Sequence, residues 1–445
     1  MIPTHAQSYD WTELIDDICQ GAWISPLTGK RFPAAPYDRI VIAESLRGRE
    51  ADLVSSLGFE PPFAIVADAA TWRAMGERVA SALGALGPVT EIVLDRPHAD
   101  MATVRALSKR LEGSGSAIAV GSGTINDLTK FATHEAGRRY CVFGTAGSMN
   151  GYTSSTASIT LDSGLKVSLP AQVPAGFFVD LEVCAAAPVH LNAAGFGDCL
   201  CRSVAQIDWW MSHRVLGTYY RHEPYVIEIP DELRLMDQAA GVAAGDIEAI
   251  GMLFRVLTLC GLGIGFTGVS HHGSMGEHQI SHYLDCFAGD RHPGSVHGQQ
   301  VGVASLTMSR IQQALLASER APEVAPTVVD EAAMAERMGP EIAAQCAELY
   351  RRKAMDAEAA DAFNARLAGM WPKLREECLE IAIPTETLRA QLAAAGGPVT
   401  AQGLRMPQDL WREAVLHAHE MRDRFSFADI ADGTGLLPEI AAAET

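Results

Sequence analysis

Positive charge is scarce in this chain. Against 54 Asp and Glu there are only 35 Lys and Arg, a formal net charge of −19 over 445 residues. A field of that sign repels nucleic acid, and any anionic substrate must be met by a locally positive pocket. Long apolar runs are scarce too: no stretch of about 18 residues reads as a membrane span. The nine cysteines are scattered without a CxxC pair, and Cys199 and Cys201 flank a single Leu200, which excludes a zinc knuckle. With no secretory leader legible, the thiols read as reduced and the protein as cytoplasmic. Repeats and low-complexity stretches are absent apart from alanine-rich helical patterns. What is present is an ordinary globular composition, 48% hydrophobic, in a chain long enough for two or three domains.

The pattern divides the chain into three parts. Residues 1–38 read as an arm, with one helix over 10–19 capped by Asp10 and then a loop holding Pro26, Pro33 and Pro36. Over 39–182 short apolar strands (39–43, 62–67, 90–94, 116–120, 139–143, 177–180) alternate with helical patterns at 72–86, 101–111 and 124–134. That rhythm predicts a parallel sheet covered on both faces, an α/β Rossmann-like domain. Asp162-Ser163-Gly164 marks a hairpin. Over 183–445 the apolar period becomes helical, with helices expected at 190–213, 245–261, 298–317, 340–351 and 356–370, so this half reads as an all-α bundle.

Two stretches carry chemistry. In GSMGEHQISHYLDCFAGDRHPGSVHGQQ (273–300) His278 and His282 stand one helical turn apart, and His297 follows a loop holding Gly289, Pro293 and Gly294. Neutral imidazoles hold divalent metals. Asp198, in AGFGDC (194–199), adds a carboxylate. Two histidines and one carboxylate with an open position form a catalytic metal arrangement rather than a structural one. The plainer alternative is that the histidines line a helix. The second stretch is AVGSGTINDLTK (119–130), where a buried strand ends in Gly121-Ser122-Gly123 and a helix opens at once. This suits a pyrophosphate at a helix N-terminus. It is not the GxGxxG fingerprint, because Asn126 stands at the third glycine, and no Gly-Lys-Ser/Thr follows as in a P-loop. Asp68, closing its strand, suits either a ribose hydroxyl or a helix cap. Thr145, Ala146, Gly147 and Ser148 offer hydroxyls and N–H groups at the same sheet edge.

Together these residues resemble the sn-glycerol-1-phosphate dehydrogenases of bacterial type, within the dehydroquinate synthase and iron-containing alcohol dehydrogenase superfamily. The carrying segments are GSGTINDLTK (121–130), GTAGSMNGYTSS (144–155), AGFGDCL (194–200), GEHQISH (276–282), VHGQQVGV (296–303) and the tail LHAHEMRDRFSFADIADGTGLL (416–437). The resemblance implies a dehydroquinate synthase-like fold and a metal-dependent, NAD(H)- or NADP(H)-linked interconversion of dihydroxyacetone phosphate and glycerol 1-phosphate. It implies Asp198, His278 and His297 as ligands of one divalent metal, zinc, nickel or iron, and His282 as a substrate contact. Gly121, Gly123, Thr124, Ile125, Asn126, Asp127, Thr145, Ala146, Gly147, Ser148 and Ser154 become cofactor contacts, with Asp68 beside them. Where the family carries a substrate-contacting aspartate this chain has Asn150, which hydrogen-bonds a hydroxyl but cannot act as a base. A cyclase like dehydroquinate synthase, a related keto-phosphate dehydrogenase and a non-catalytic scaffold are the alternatives. A homodimer is expected from precedent. Lys130 reads as a helix-surface residue, and Lys166, Arg202 and Arg291 as conceivable phosphate cations. His271 and His272 read as lining a loop, and His417 and His419 as surface or packing residues.

Overall fold

Strands β1 (Arg39–Ala43), β2 (Phe63–Asp68), β3 (Val89–Leu94), β4 (Ser116–Gly121), β5 (Tyr140–Gly144), β6 (Thr156–Thr160), β7 (Lys166–Pro170) and β8 (Gly176–Asp180) account for the β structure of the computed structural model, which describes residues 10–444. Six of them form one sheet in the order β1-β8-β5-β4-β2-β3, every neighbouring pair parallel. The central strands β4, β5 and β8 are buried throughout, whereas the edge strand β3 exposes Thr90, Glu91 and Val93. Strands covered on both faces must be apolar at every position, and only an edge can afford alternation. From β2 the chain goes outward to β3, then returns to the other side of β2 for β4 and continues to β5. The order therefore reverses between β2 and β4, whose carboxyl ends are Asp68 and Gly121. Ligands of open α/β sheets collect at such a reversal. β6 and β7 form a separate two-stranded hairpin.

The chain forms two compact units, and they do not follow the expected boundaries of 39–182 and 183–445. Among the described residues, one holds 10–157 with Leu169–Asn192 and Ile227–Phe266. The other holds Ser158–Ser168, Ala193–Val226 and everything from Thr267. The helical segment 227–266 thus belongs with the sheet, and the hairpin tip with the helices. Helix Ile247–Thr267 is also long and apolar enough to cross a membrane, contrary to the expectation that no such stretch occurs. It is a core helix here, 89% of its apolar window being buried inside the protein. Its Arg255 is paired 2.6 Å from Asp231.

Two further expectations are corrected. The first helix is Glu13–Cys19 with Thr12 at its cap, and the Asp10 carboxylate accepts from Thr12 N (2.9 Å) and Oγ1 (3.0 Å) ahead of it. The helix expected to end at residue 370 runs through Pro372 as Ala357–Ile381, and helix Glu223–Asp237, which contains Pro230, was not expected. In both cases tertiary burial overrides the local cost of an internal proline. Residues 1–9 of the expected arm lie outside the described residues.

In the helical unit, helices Val189–Leu216 and His297–Leu316 cross at glycines. A Cβ on Gly197 would lie 2.5 Å from the Gly298 carbonyl oxygen and 3.1 Å from Gly302 Cα. Only backbone without side chains approaches so closely. The crossing brings the backbone beside Asp198 to the first turn of the helix that His297 opens.

Candidate active site

Three helices of the second unit supply the metal-type residues. Val189–Leu216 carries Asp198 and Cys201, Gly276–Phe287 carries His278 and His282, and His297–Leu316 opens with His297. The three imidazoles cluster, with ring centroids 5.0 Å apart for His278–His297, 5.5 Å for His282–His297 and 5.9 Å for His278–His282. His278 Nε2 faces Asp198 Oδ1 at 3.5 Å. Two ligand atoms about 2.0–2.2 Å from one ion stand about 3–4 Å apart, so this pair already has the spacing of two ligands.

Hydrogen bonds fix which ring nitrogens are available. Glu277 Oε1 accepts from His278 Nδ1 at 2.9 Å and from Met275 N at 2.8 Å. Glu277 thus holds the Nδ1 proton of His278, and Nε2, toward Asp198, is the nitrogen that would meet a cation once the ring is neutral. Ser281 Oγ donates its one proton to Gln300 Oε1 (2.9 Å), so toward His297 Nδ1 (3.0 Å) it can only accept. That leaves the His297 Nε2 lone pair unprotonated. Carboxylate and hydroxyl partners of this kind set the tautomer of metal-binding imidazoles. The donor set of two imidazole nitrogens and a buried carboxylate thus fits a divalent cation. The ligand atoms that lie within 4.8 Å of one another are those of Asp198, His278 and the Cys201 thiol; His297, expected as the third ligand, is not in that group.

The electrostatics differ at each histidine. Burial alone would lower His278, but Asp198 and Glu277 more than reverse this and carry its pKa up to about 8. His297 is lowered by burial and by His278 to about 4 against the opposing pull of Asp198. His282 is held well below its ordinary value by burial, then by Arg422 and the other two rings.

In the first unit, β4 and β5 end side by side at Gly121 and Gly144. A Cβ on Gly121 would lie 2.6 Å from Ile125 Cβ, so the turn into helix Gly123–Glu135 needs glycine there. The Ser122 side chain makes no capping hydrogen bond, which leaves the helix start available to an anion. Gly123 and Asp127 are half-buried and Thr124 is exposed, but Ile125 and Asn126 are buried. Asn126 accepts from Tyr140 (3.1 Å) and donates to Asp127 (3.1 Å), an internal role. Asp68 caps the next helix through Ala70 N (2.8 Å) and Thr71 N (2.9 Å). In 145–148 three amides are spent inside the protein: Thr145 N on Gly121 O, Gly147 N on Asn192 Oδ1 and Ser148 N on Ala146 O.

Lys130 corrects its expected place most sharply. It is fully buried, and Nζ donates to the carbonyl oxygens of Gly151 (2.7 Å), Ser154 (3.0 Å) and Thr156 (3.1 Å) and to Ser154 Oγ (3.3 Å). Burial lowers its pKa to about 8 against the pull of Asp127. Ser154 is engaged in that cage, and Asn150 is half-buried just before it. None of the three proposed phosphate cations stands apart from protein partners. Lys166 pairs with Asp285 at 2.6 Å, Arg291 with Asp409 at the surface, and buried Arg202 lies over the Tyr225 ring. His272 is buried, as is His419, whose Nε2 meets Tyr350 Oη at 3.3 Å. His417 pairs with Glu420.

Comparison with known proteins matches this arrangement to relatives. Residues 41–188 match the iron-containing alcohol dehydrogenase family. The glycerol-1-phosphate dehydrogenase [NAD(P)+] of Bacillus velezensis is 30% identical over 382 residues, 84% of this chain and 86% of the relative. The chain belongs to the glycerol-1-phosphate dehydrogenase family. The member from Bacillus licheniformis is 28% identical over 84% of each chain. Among solved structures, a probable glycerol dehydrogenase from Sinorhizobium meliloti 1021 superposes with a TM-score of 0.60 at 16% identity, covering 92% of this chain and 98% of that one, which shows a shared fold. Within the family framework, sequence reasoning missed Cys201, Glu277, Ser281, Gln300 and Arg422. Glu277 and Ser281 stand within the same motif as the histidines, and a carboxylate or hydroxyl beside each candidate ligand was the available signal.

Proposed function

We propose that the protein interconverts dihydroxyacetone phosphate and glycerol 1-phosphate with NAD(H) or NADP(H). What supports this reading is His278 Nε2 facing Asp198 Oδ1 at 3.5 Å, with the His297 ring 5.0 Å from that of His278 and both Nδ1 atoms engaged, in a chain of this family. Asp198, His278 and His297 would hold a divalent metal, with Cys201 beside them. When bound, such an ion supplies Lewis acidity toward a carbonyl oxygen and the alkoxide it becomes.

The chain's own groups do the remainder. Glu277 and Ser281 keep two imidazole lone pairs aimed. His282, neutral, hydrogen-bonds a substrate hydroxyl and relays a proton. The Gly121–Gly123 turn and the open helix start seat the pyrophosphate, and the Lys130 cage holds the 151–156 loop in shape. Asn150 hydrogen-bonds a hydroxyl without taking a proton. A symmetric homodimer in the cytoplasm is the assembly and location we propose with this activity.

Asp198→Ala and His278→Ala are expected to lose both bound metal and turnover, followed by metal analysis and by nicotinamide absorbance with dihydroxyacetone phosphate. Near-normal turnover without metal in either variant contradicts the assignment. Product analysis separates the cyclase alternative, which consumes no net reduced nicotinamide.

A further inference from the structure

The C-terminal tail reaches the histidine cluster through Arg422. Arg422 Nη2 lies 2.5 Å from His282 Nδ1. A guanidinium only donates and stays charged. Nδ1 is therefore the acceptor, and the His282 proton sits on Nε2. His282 is then a neutral donor, one ring away from the metal-type residues, with a fixed positive charge on its other side.

Three neighbouring cations are neutralised by carboxylates. Lys166 Nζ is 2.6 Å from Asp285, Arg337 is 2.6 Å from Glu420 and Lys353 is 2.6 Å from Asp429. Arg424, two residues on, spends its donors on Ser270 and Ser274. Among the described residues Arg422 has no carboxylate partner. Its head is enclosed enough that burial lowers its pKa, yet the residue is only half-buried, so a ligand can reach it. An enclosed cation without a counter-charge is costly to maintain. In a chain of net charge −19, an anion has few other places to be drawn to.

We propose that Arg422 is the specificity-determining residue that binds the phosphate group of the ketone substrate, its planar fork meeting two phosphate oxygens while His282 Nε2 donates to the oxygen-rich chain beside it. The geometry of a fork on an oxyanion gives both strength and orientation. This rests on the dehydrogenase reading and deepens it, because it makes phosphorylation the feature the site selects.

The test compares holoenzyme of wild type, Arg422→Gln and Arg422→Lys. Rates with dihydroxyacetone phosphate and dihydroxyacetone are measured with NADH and with NADPH, and inorganic phosphate binding is followed by calorimetry. Arg422→Gln is expected to cut the preference for the phosphorylated ketone by ~100-fold, mainly through KM, and to abolish phosphate binding while metal remains bound. Arg422→Lys, which keeps the charge but not the fork, should fall between. Wild-type preference in Arg422→Gln overturns the proposal and leaves the dehydrogenase reading standing. So does a change confined to NADPH against NADH, which would assign the guanidinium to the cofactor's extra phosphate. Phosphate binding that depends on Arg422 in a protein that reduces neither ketone sustains the anion site and overturns the dehydrogenase reading. Should Arg422→Gln not fold, a wild-type preference in Arg422→Lys counts against the proposal.

Discussion

Glu277 is buried, and one of its oxygens holds both the Met275 amide and the His278 ring. It orients the imidazole and raises the basicity of the nitrogen that faces Asp198. Glu277→Gln keeps the shape and loses the charge. Its metal affinity should drop ~10- to 100-fold in chelator competition; wild-type affinity would mean that the ring is oriented without help from that charge. Asp208, also buried, accepts from Phe427 N (3.0 Å), Gln312 (3.0 Å) and Gly276 N (3.3 Å), tying the tail to the start of the histidine helix. Burial outweighs these bonds and raises its pKa to about 7. Between the unfolded value of about 3.9 and that pKa, the native state holds a proton that the unfolded chain has lost. Its share of stability therefore falls as pH rises through that window. Asp208→Asn should flatten the decline of Tm between about pH 4 and 7 relative to wild type. Parallel Tm curves for the two proteins would remove Asp208 from the account.

The arrangement of elements turns on one close approach of helices and one buried ammonium. Gly197→Ala places a methyl against the Gly298 carbonyl, at 2.5 Å before relaxation. The helices must then separate, carrying Asp198 away from His297. A loss of about 1–3 kcal/mol in denaturant unfolding is expected, together with weakened metal binding. Intact metal affinity would show that the crossing can adjust without moving the ligands. Lys130→Met leaves the carbonyl oxygens of Gly151, Ser154 and Thr156 without their shared donor. Stability should drop by about 1–3 kcal/mol and dinucleotide affinity should weaken in a fluorescence titration. An unchanged affinity would separate that loop from cofactor binding. These element-scale features were only half legible. The strand–helix rhythm and the Gly121 turn follow from apolar runs and punctuation. The depth of Lys130 does not, because helical spacing places it on a face without saying what loop covers that face.

On the scale of the whole chain, two compact units should respond separately to their ligands. A species that binds only one folded unit stabilises that unit by mass action. In calorimetry, divalent metal is expected to raise the unfolding of the helical unit and NAD(H) that of the sheet unit, in two resolvable transitions. One transition shifted equally by both would show that the units unfold as one. The strong negative charge also means that anion recognition must be built locally, which is where Arg422 enters.

The alternation of strands and helices over the first half, the parallel sheet, the glycine turn and the candidacy of Asp198, His278, His282 and His297 were determined by the amino-acid sequence, since period, punctuation and motif spacing are local properties. The unit boundaries, the ring nitrogens left for a metal, Cys201 beside Asp198, the lysine cage and the arginine behind His282 were decided only by tertiary structure. Each depends on groups far apart in the chain, and their proximity arises from packing: Arg422 stands 140 residues from the imidazole it touches.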